Sequence, residues 1–122
     1  MAVARDFTDY LAAHAARRRE AADTLVARVA AATAQARAAA RRLGERVGVR
    51  RVILFGSLAT GRFHPQSDID LGVEGLPEGA LVAALCAAAE GTDFGVDIVP
   101  LERAPDHIRT AALAQGVVLW PL

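Results

Sequence analysis

The chain has 122 residues, of which 53% are hydrophobic and 23% are charged, so it can bury one core and is not a disordered chain. It contains no run of about 18 uncharged apolar residues, which excludes a transmembrane helix, and its charged first residues exclude a secretory signal. The formal net charge is zero, but residues 1–62 contain twelve arginines and five acids, whereas residues 63–122 contain two arginines and nine acids. This asymmetry reflects either the codon usage of a GC-rich genome or a basic face that meets an acidic partner.

The chain contains a single cysteine, Cys86, which cannot form an internal disulfide and fits a reducing compartment. Cys86 lies in the alanine-rich run 80–89, where we expect a packed thiol rather than a reactive one. Together with the absence of an apolar span, this predicts a cytoplasmic protein that has no membrane partner.

The first 47 residues have the pattern of a long helix. Residues 6–47 contain no proline and no glycine before Gly44, and apolar residues from Leu25 to Val47 recur at alternating spacings of four and three. We predict one helix of about 60 Å, or two helices broken near 17–19. A small domain cannot cover such a helix, so its first half must fold back, pair with a second copy or bind a partner. No glycine or proline marks a hairpin, which favours a second copy or a partner.

The pattern changes after Gly48, where short β-branched runs alternate with alanine-rich segments and with glycine or proline boundaries. The predicted strands are 51–55, 68–73, 94–99 and 117–120, and the segments between them are a short turn at 57–60 and helices at 81–90 and 105–115. This order predicts an α/β (α+β) fold with a small mixed β-sheet and covering helices. We predict one domain over 1–122, made of a helical extension (1–47) and a catalytic core (48–122).

Two aspartates alternate with apolar residues at the start of the second strand. Side chains two residues apart project from one face of a strand, so Asp68 and Asp70 lie close together and repel unless a cation joins them. Carboxylate oxygens without a nearby histidine or cysteine favour magnesium or manganese. Asp97 lies in the apolar run 96–99, where we expect a buried, inward-pointing carboxylate near the other two. Three such groups would complete a site for two metal ions.

A Gly-Ser pair directly follows the first strand. Gly56 allows the backbone to turn sharply and to approach a ligand closely. Ser57 begins a short turn whose free N–H groups and hydroxyl can hold a phosphate. A Walker loop is excluded because the full G-x-x-x-x-G-K pattern is missing, with Arg62 in place of its lysine. A Gly-Ser pair alone is usually a turn and an Asp-x-Asp pair alone is usually a solvated strand start, so the case rests on their joint arrangement.

That arrangement resembles a known family. The run from Leu54 to Gly61, the ten residues between Ser57 and Asp68, and the run Ser67 to Leu71 look like the signature of minimal nucleotidyltransferases in the polymerase-beta superfamily. The resemblance covers about residues 40–120 and implies a polymerase-beta-like palm. It departs from the family at Leu58 and Thr60, where many members carry arginine.

The resemblance also implies roles for individual residues. Gly56 and Ser57 would hold the triphosphate of a nucleoside triphosphate, expected to be ATP. The carboxylates of Asp68, Asp70 and Asp97 would be both catalytic and ligands of two magnesium ions. Arg62, just past the loop, is the candidate that replaces the missing arginine charge. The implied reaction is attack of a hydroxyl on the α-phosphorus, with release of pyrophosphate.

The acceptor of the nucleotide is not specified by these residues. The small family members resemble the antitoxin of a toxin–antitoxin pair that adenylylates a HEPN-domain ribonuclease, which is the favoured hypothesis. The alternatives are an antibiotic (aminoglycoside-type) nucleotidyltransferase and a non-catalytic antitoxin that binds its partner. Expected partners are therefore a nucleoside triphosphate, a HEPN toxin and a second copy through the N-terminal helix, without direct DNA binding.

Overall fold

The structure is a computed structural model that describes the backbone of residues 2–122 and the side chains of residues 6–122. The elements are α1 (Ala2–Arg42), a wide helical turn (Leu43–Val47), β1 (Arg51–Phe55), α2 (Ser57–Thr60), β2 (Ile69–Glu74), α3 (Leu81–Ala89), β3 (Val96–Pro100), a 3₁₀ turn (Leu101–Arg103), α4 (Asp106–Gln115) and β4 (Val117–Trp120). The predicted order of helices and strands is confirmed, and the boundaries of the four strands, α3 and α4 differ from the predicted ones by two residues or fewer.

Helix α1 is continuous over 41 residues, so the alternative of two helices broken near 17–19 is wrong. Its composition explains this continuity, because the segment is rich in alanine and arginine and contains no glycine or proline. The helical path ends at Gly48, which adopts φ +85° and donates its N–H to the Leu43 carbonyl at 3.0 Å. Gly44, one turn earlier, lies against the indole of Trp120, and a Cβ there would overlap with the ring.

The four strands form one mixed sheet in the order β3-β2-β1-β4. Strand β1 is antiparallel to both β2 and β4, whereas β2 and β3 are parallel. The predicted mixed sheet is therefore confirmed. Because β1 and β2 occupy the two central positions, the residues that begin β2 lie between the end of β1 and the start of β3.

Most of the core lies on one face of the sheet, beneath α1 and α3. Small residues of α1 and α3 are fully buried there against the apolar side chains of all four strands; they include Ala32, Ala36, Ala39, Ala84 and Ala88. Arg42 fastens the two helices together, since its guanidinium donates to the carbonyls of Ala87 at 2.6 Å and Ala88 at 3.2 Å. Cys86, on the outer side of α3, is exposed, so the prediction of a packed thiol is wrong.

A smaller cluster lies on the opposite face, beneath α4. It consists of Ile53, Leu101 and Ala112, with Phe55 and Val99 packed against it. Leu101 reaches the sheet because Gly72 has no side chain; a Cβ there would lie 3.0 Å from a Leu101 methyl group. Helix α4 covers only part of this face, and the remainder carries the aspartates.

The first part of α1 extends beyond the sheet. Every described side chain from Asp6 to Thr24 is exposed, and burial begins at Leu25. None of the helices in the described chain combines the length and apolar character needed to cross a membrane.

Candidate active site

The junction between β1 and α2 brings the Gly-Ser pair against Asp70. Gly56 adopts φ +76° and ψ −153°, a backbone conformation that residues with a side chain rarely adopt. A Cβ on Gly56 would also overlap with the Asp70 carboxylate. Glycine is therefore required both by the backbone conformation and by the contact with Asp70. The sequence predicted a close approach of the Gly56 backbone to a ligand, and in the structure this backbone approaches a carboxylate. The structure thus brings the two halves of the sequence motif into contact.

Helix α2 is a single turn that presents its start to a cleft. The N–H and Oγ1 of Thr60 both donate to the Gly56 carbonyl, at 3.1 and 3.0 Å, and the N–H of Arg62 donates to the Ser57 carbonyl at 2.9 Å. The adjacent cleft has a volume of about 390 Å³ and is lined by Gly56, Ser57, Thr60, Arg62 and Gln115. The first N–H groups of a helix have no partner within the helix. Together with the Arg62 guanidinium, they make this cleft suitable for phosphate groups.

Gln115 is a cleft residue that the sequence reasoning missed. It is the last residue of α4, and it reaches the cleft because Gly116 lets the end of α4 pack tightly on β1. A Cβ on Gly116 would overlap with the Ala112 carbonyl and with the Ile53 side chain. A glycine directly after a helix is the one local signal that could have indicated such a close approach.

Asp70 and Asp97 are neighbours across parallel strands. They are paired in the register of β2 and β3, so their side chains project from the same face about 4.8 Å apart at the backbone. Asp68 lies two residues before Asp70, which directs it to that face as well. The structure thus brings the three predicted carboxylates to one edge of the sheet.

The prediction that Asp97 is buried is wrong, because its side chain is exposed. The neighbours Val96 and Ile98 project to the opposite face, where both pack against the main core. The Asp97 side chain therefore projects from the other face of the sheet, at a position that the cluster beneath α4 does not cover. The continuous apolar run concealed this alternation of the strand.

Asp70 is the carboxylate whose environment is electrostatically unfavourable. Burial raises the pKa of Asp70 above its usual value, and the nearby charges of Asp97 and then Asp68 raise it further. Neither a hydrogen bond nor an ion pair reaches this carboxylate from the described residues. A cation at this edge of the sheet would relieve both effects.

Gly95 is a second site residue that the sequence reasoning missed. Its carbonyl accepts the N–H of Ile69 at 2.8 Å, and a Cβ on Gly95 would overlap with the Asp68 carboxylate. Asp68 therefore leans toward β3, whereas Asp70 leans toward Gly56 beside β1. This divergence is what like charges produce.

Within the described chain, no three His, Cys, Asp or Glu side chains stand close enough together to hold a metal ion without rotating. The donor set suits magnesium, but it is not closed around a common point.

Helix α1 holds the two loops that position Asp68. Arg28 donates from Nη2 to the Pro65 carbonyl at 3.4 Å and stacks on the Phe94 ring at 5.0 Å. Gln35 and Asp93 bond reciprocally, the Gln35 amide donating at 3.2 Å and the Asp93 N–H donating at 2.9 Å. The long helix is therefore part of the framework of the site.

Comparison with known proteins agrees with the resemblance described from the sequence. Residues 40–121 match the family model described as "Polymerase beta, Nucleotidyltransferase". The curated proteins contain no match to this chain. This chain is similar to a solved toxin–antitoxin structure with AMP-PNP, with 30% identity and a TM-score of 0.57 over 66% of this chain and 68% of that chain. It is also similar to a mutant form of the toxin–antitoxin MntA–HpeT, with 26% identity and a TM-score of 0.56 over 66% and 67% of the two chains.

The family match contains every candidate site residue and all four strands, but it excludes the first 39 residues. It covers more than half of the chain, and the sheet order and the Gly-Ser contact with Asp70 are consistent with it. This chain belongs to the polymerase beta nucleotidyltransferase family.

Proposed function

We propose that this chain is a magnesium-dependent adenylyltransferase that transfers AMP from ATP to a hydroxyl group of a HEPN-domain toxin, and so acts as the antitoxin of the pair. One observation carries the proposal. The Gly56 backbone lies against Asp70, beside Asp97, and the same junction opens through Ser57 into the cleft that Arg62 lines. Phosphate-binding groups and cation-binding groups therefore lie next to each other.

The chain's own residues would divide the work between binding and proton transfer. The Ser57 hydroxyl, the N–H groups at the start of α2 and the Arg62 guanidinium would hold the triphosphate in the cleft. The acceptor oxygen forms a bond to the α-phosphorus, the bond to the β-phosphate oxygen breaks, and pyrophosphate leaves. Asp97 would accept the proton of the acceptor hydroxyl, which suits its exposed position.

Asp68 and Asp70 would hold the magnesium that accompanies the nucleotide, and Asp97 would share a second ion. Bound magnesium neutralises charge on the attacking and leaving oxygens. Support comes from the unfavourable environment of Asp70, which a cation would reverse, and from the all-oxygen donor set. The carboxylates of Asp68 and Asp70 would have to rotate toward each other, which costs little for side chains at this open edge.

The partner assignment rests on the similar structures. Both are toxin–antitoxin proteins, and one of them was solved with AMP-PNP. We extend this to the present chain and propose a toxin as the acceptor and an adenine nucleotide as the donor. The reaction would take place in the cytoplasm, which the single unpaired cysteine permits.

A labelling experiment with the neighbouring gene product tests this function. The chain is incubated with α-labelled ATP, magnesium and the protein encoded by the adjacent gene, and the labelled residue is identified by mass spectrometry. We expect label on a hydroxyl side chain of that protein, loss of label without magnesium, and loss of label with Asp68→Asn. Glu78→Gln is the matched control, because it removes an exposed acid that follows the other end of β2. Label that persists in Asp68→Asn would contradict the catalytic role of the cluster.

A further inference from the structure

Residues 6–24 of α1, which we call the arm, extend from the catalytic core with every side chain exposed. At 1.5 Å per residue, the arm is about 28 Å long. Its large apolar side chains Phe7, Tyr10 and Leu11 have exposed fractions of 61%, 59% and 49%. The family match begins at residue 40, so the family does not account for this segment.

The apolar face of the arm continues the face that α1 packs against the sheet. Eighteen residues make five full turns of an α-helix, so Phe7 lies on the same side as Leu25 and Leu43. Leu11 is related to Val29 in the same way. Leu43 is fully buried, and Val29 packs against the main core. The arm therefore exposes to solvent the kind of face that the rest of the helix buries.

Charges along one edge of this face are self-complementary. Asp6 and Arg17 are eleven residues apart, or about three turns, so both lie on the same edge. Neither forms an ion pair with any residue in the described chain. When two helices pack antiparallel, equivalent edges face each other, and Asp6 of each copy would lie opposite Arg17 of the other. In a parallel pair, this edge of each helix would face the opposite edge of the other, so Asp6 and Arg17 would not meet.

We infer that the arms of two copies of this chain pair as an antiparallel helical dimer centred between Leu11 and Ala12. Phe7 and Leu11 supply the apolar contact between the two arms. Arg18 lies within the face, where its guanidinium can stack on Phe7 of the other copy. The charge order selects a second copy over an unrelated partner, because it is satisfied by the arm itself.

The pairing leaves both catalytic cores unobstructed. The overlap defined by the ion pairs covers residues 6–17 of each copy, whereas contact with the core begins at Leu25. The step of eight residues from Arg17 to Leu25 corresponds to about 12 Å of helix on each side of the overlap. The two candidate active sites would therefore remain accessible to nucleotide and acceptor.

Molar mass in solution is the primary test. We expect light scattering to give twice the chain mass of 12.8 kDa for the unmodified protein and a single chain mass for Leu11→Glu. Val26→Glu is the matched control, because Val26 is an exposed apolar residue of the same helix (68% exposed) that lies outside the overlap. It should leave the dimer intact. Circular dichroism of each variant verifies that the helix and the core still fold.

A charge exchange tests the antiparallel arrangement. Asp6→Arg and Arg17→Asp should each weaken self-association by about tenfold, because each places like charges opposite each other. An equal mixture of the two variants should associate as tightly as the unmodified chain, because both contacts then join opposite charges. Three results would overturn the inference: a monomeric unmodified chain, a dimer insensitive to Leu11→Glu, or an arm that needs Leu11 only to bind another protein.

Discussion

The two ends of strand β2 carry carboxylates in opposite electrostatic situations. Glu74, at the end of the strand, accepts hydrogen bonds from Arg51 Nε at 2.8 Å and Arg50 Nη2 at 3.2 Å. Partial burial raises the pKa of Glu74, but these hydrogen bonds and charges outweigh it, so the pKa is lowered from its usual value. Asp70, near the start of the same strand and on the same face, has a raised pKa, because burial and then the charges of Asp97 and Asp68 disfavour its ionised form.

This difference separates a carboxylate that is compensated within the chain from one that we propose binds a cation. Glu74 is compensated within the chain, so its ionised form stabilises the fold. Asp70 has a charge that nothing in the described chain compensates, and the glycines at 56 and 95 bring backbone, not cations, against the aspartates. A strained or unsatisfied group that persists in a folded protein is typical of a functional site. Variants at the two ends should therefore have opposite effects on stability.

The largest expected effect is that of Asp70→Asn on transfer. We expect the transfer rate to fall by at least about 10²-fold, because the charge that we propose holds the cation is lost. In the absence of magnesium, the same variant should have a higher free energy of unfolding than the unmodified chain, because the repulsion from Asp97 and Asp68 disappears. Urea denaturation and the labelling assay measure the two quantities. A variant that loses both activity and stability would show that Asp70 is a structural residue like Glu74.

Gly56→Ala should destabilise the uncompensated end through geometry rather than charge. The substitution strains the backbone at φ +76° and drives a methyl group into the Asp70 carboxylate, so we expect a loss of about 1–3 kcal/mol together with loss of transfer. Gly79→Ala is the matched control. Gly79 has φ +78°, but a Cβ there has nothing within 4 Å. The Gly79→Ala variant should therefore show the backbone strain alone and retain transfer. Equal transfer defects in the two variants would contradict the proposed contact between Gly56 and Asp70.

The local pattern of the sequence predicted the elements and much of the site, because helical period, strand alternation and glycine boundaries are local signals. It placed Gly56, Ser57 and Asp70 correctly relative to the strands, whereas Asp68 lies one residue before β2 and not within it. The burial of Asp97 was predicted wrongly. The run 96–99 is otherwise apolar, and such a short run does not reveal which face of a strand is covered. The alternation of side chains would have been the better guide.

Other features had no local signal at all. The contact of Arg28 with Phe94 and the bonds between Gln35 and Asp93 join residues 58 or more positions apart, and only the completed fold brings them together. The role of Gly95 depends on where the parallel strand β3 lies beside β2. The strand order β3-β2-β1-β4 joins segments that are distant in sequence, which no short window of sequence contains.

Glu74→Gln should lower stability by a smaller amount than the Gly56 variant. Removing the charge weakens the hydrogen bonds from two arginines at a side chain that is 17% exposed, which corresponds to a loss of about 1 kcal/mol. Transfer should be unchanged, because Glu74 lies at the far end of β2. Asp106→Asn is the matched control, since it removes an exposed carboxylate from the longer ion pair with Arg109 at 3.6 Å. Urea denaturation should detect a loss in the first variant only.

The smallest expected effect is the pH dependence of stability. Asp70 and Glu74 should contribute to it in opposite directions. Because the folded pKa of Asp70 is raised, its neutral form stabilises the fold below the unfolded value of 3.8, and this contribution is lost as pH rises through the folded pKa. Because the folded pKa of Glu74 is lowered, its contribution is complete above the unfolded value of 4.5 and is lost as pH falls through the folded pKa.

Urea denaturation from pH 3 to pH 7 without magnesium should therefore give opposite difference curves for the two variants. Asp70→Asn should gain stability relative to the unmodified chain as pH rises, whereas Glu74→Gln should lose its relative deficit as pH falls. Magnesium should abolish the first difference and leave the second, because only the Asp70 end would bind the ion. Difference curves of the same sign would mean that the two ends of β2 are electrostatically alike, and a magnesium effect on the Glu74 curve would place the ion elsewhere.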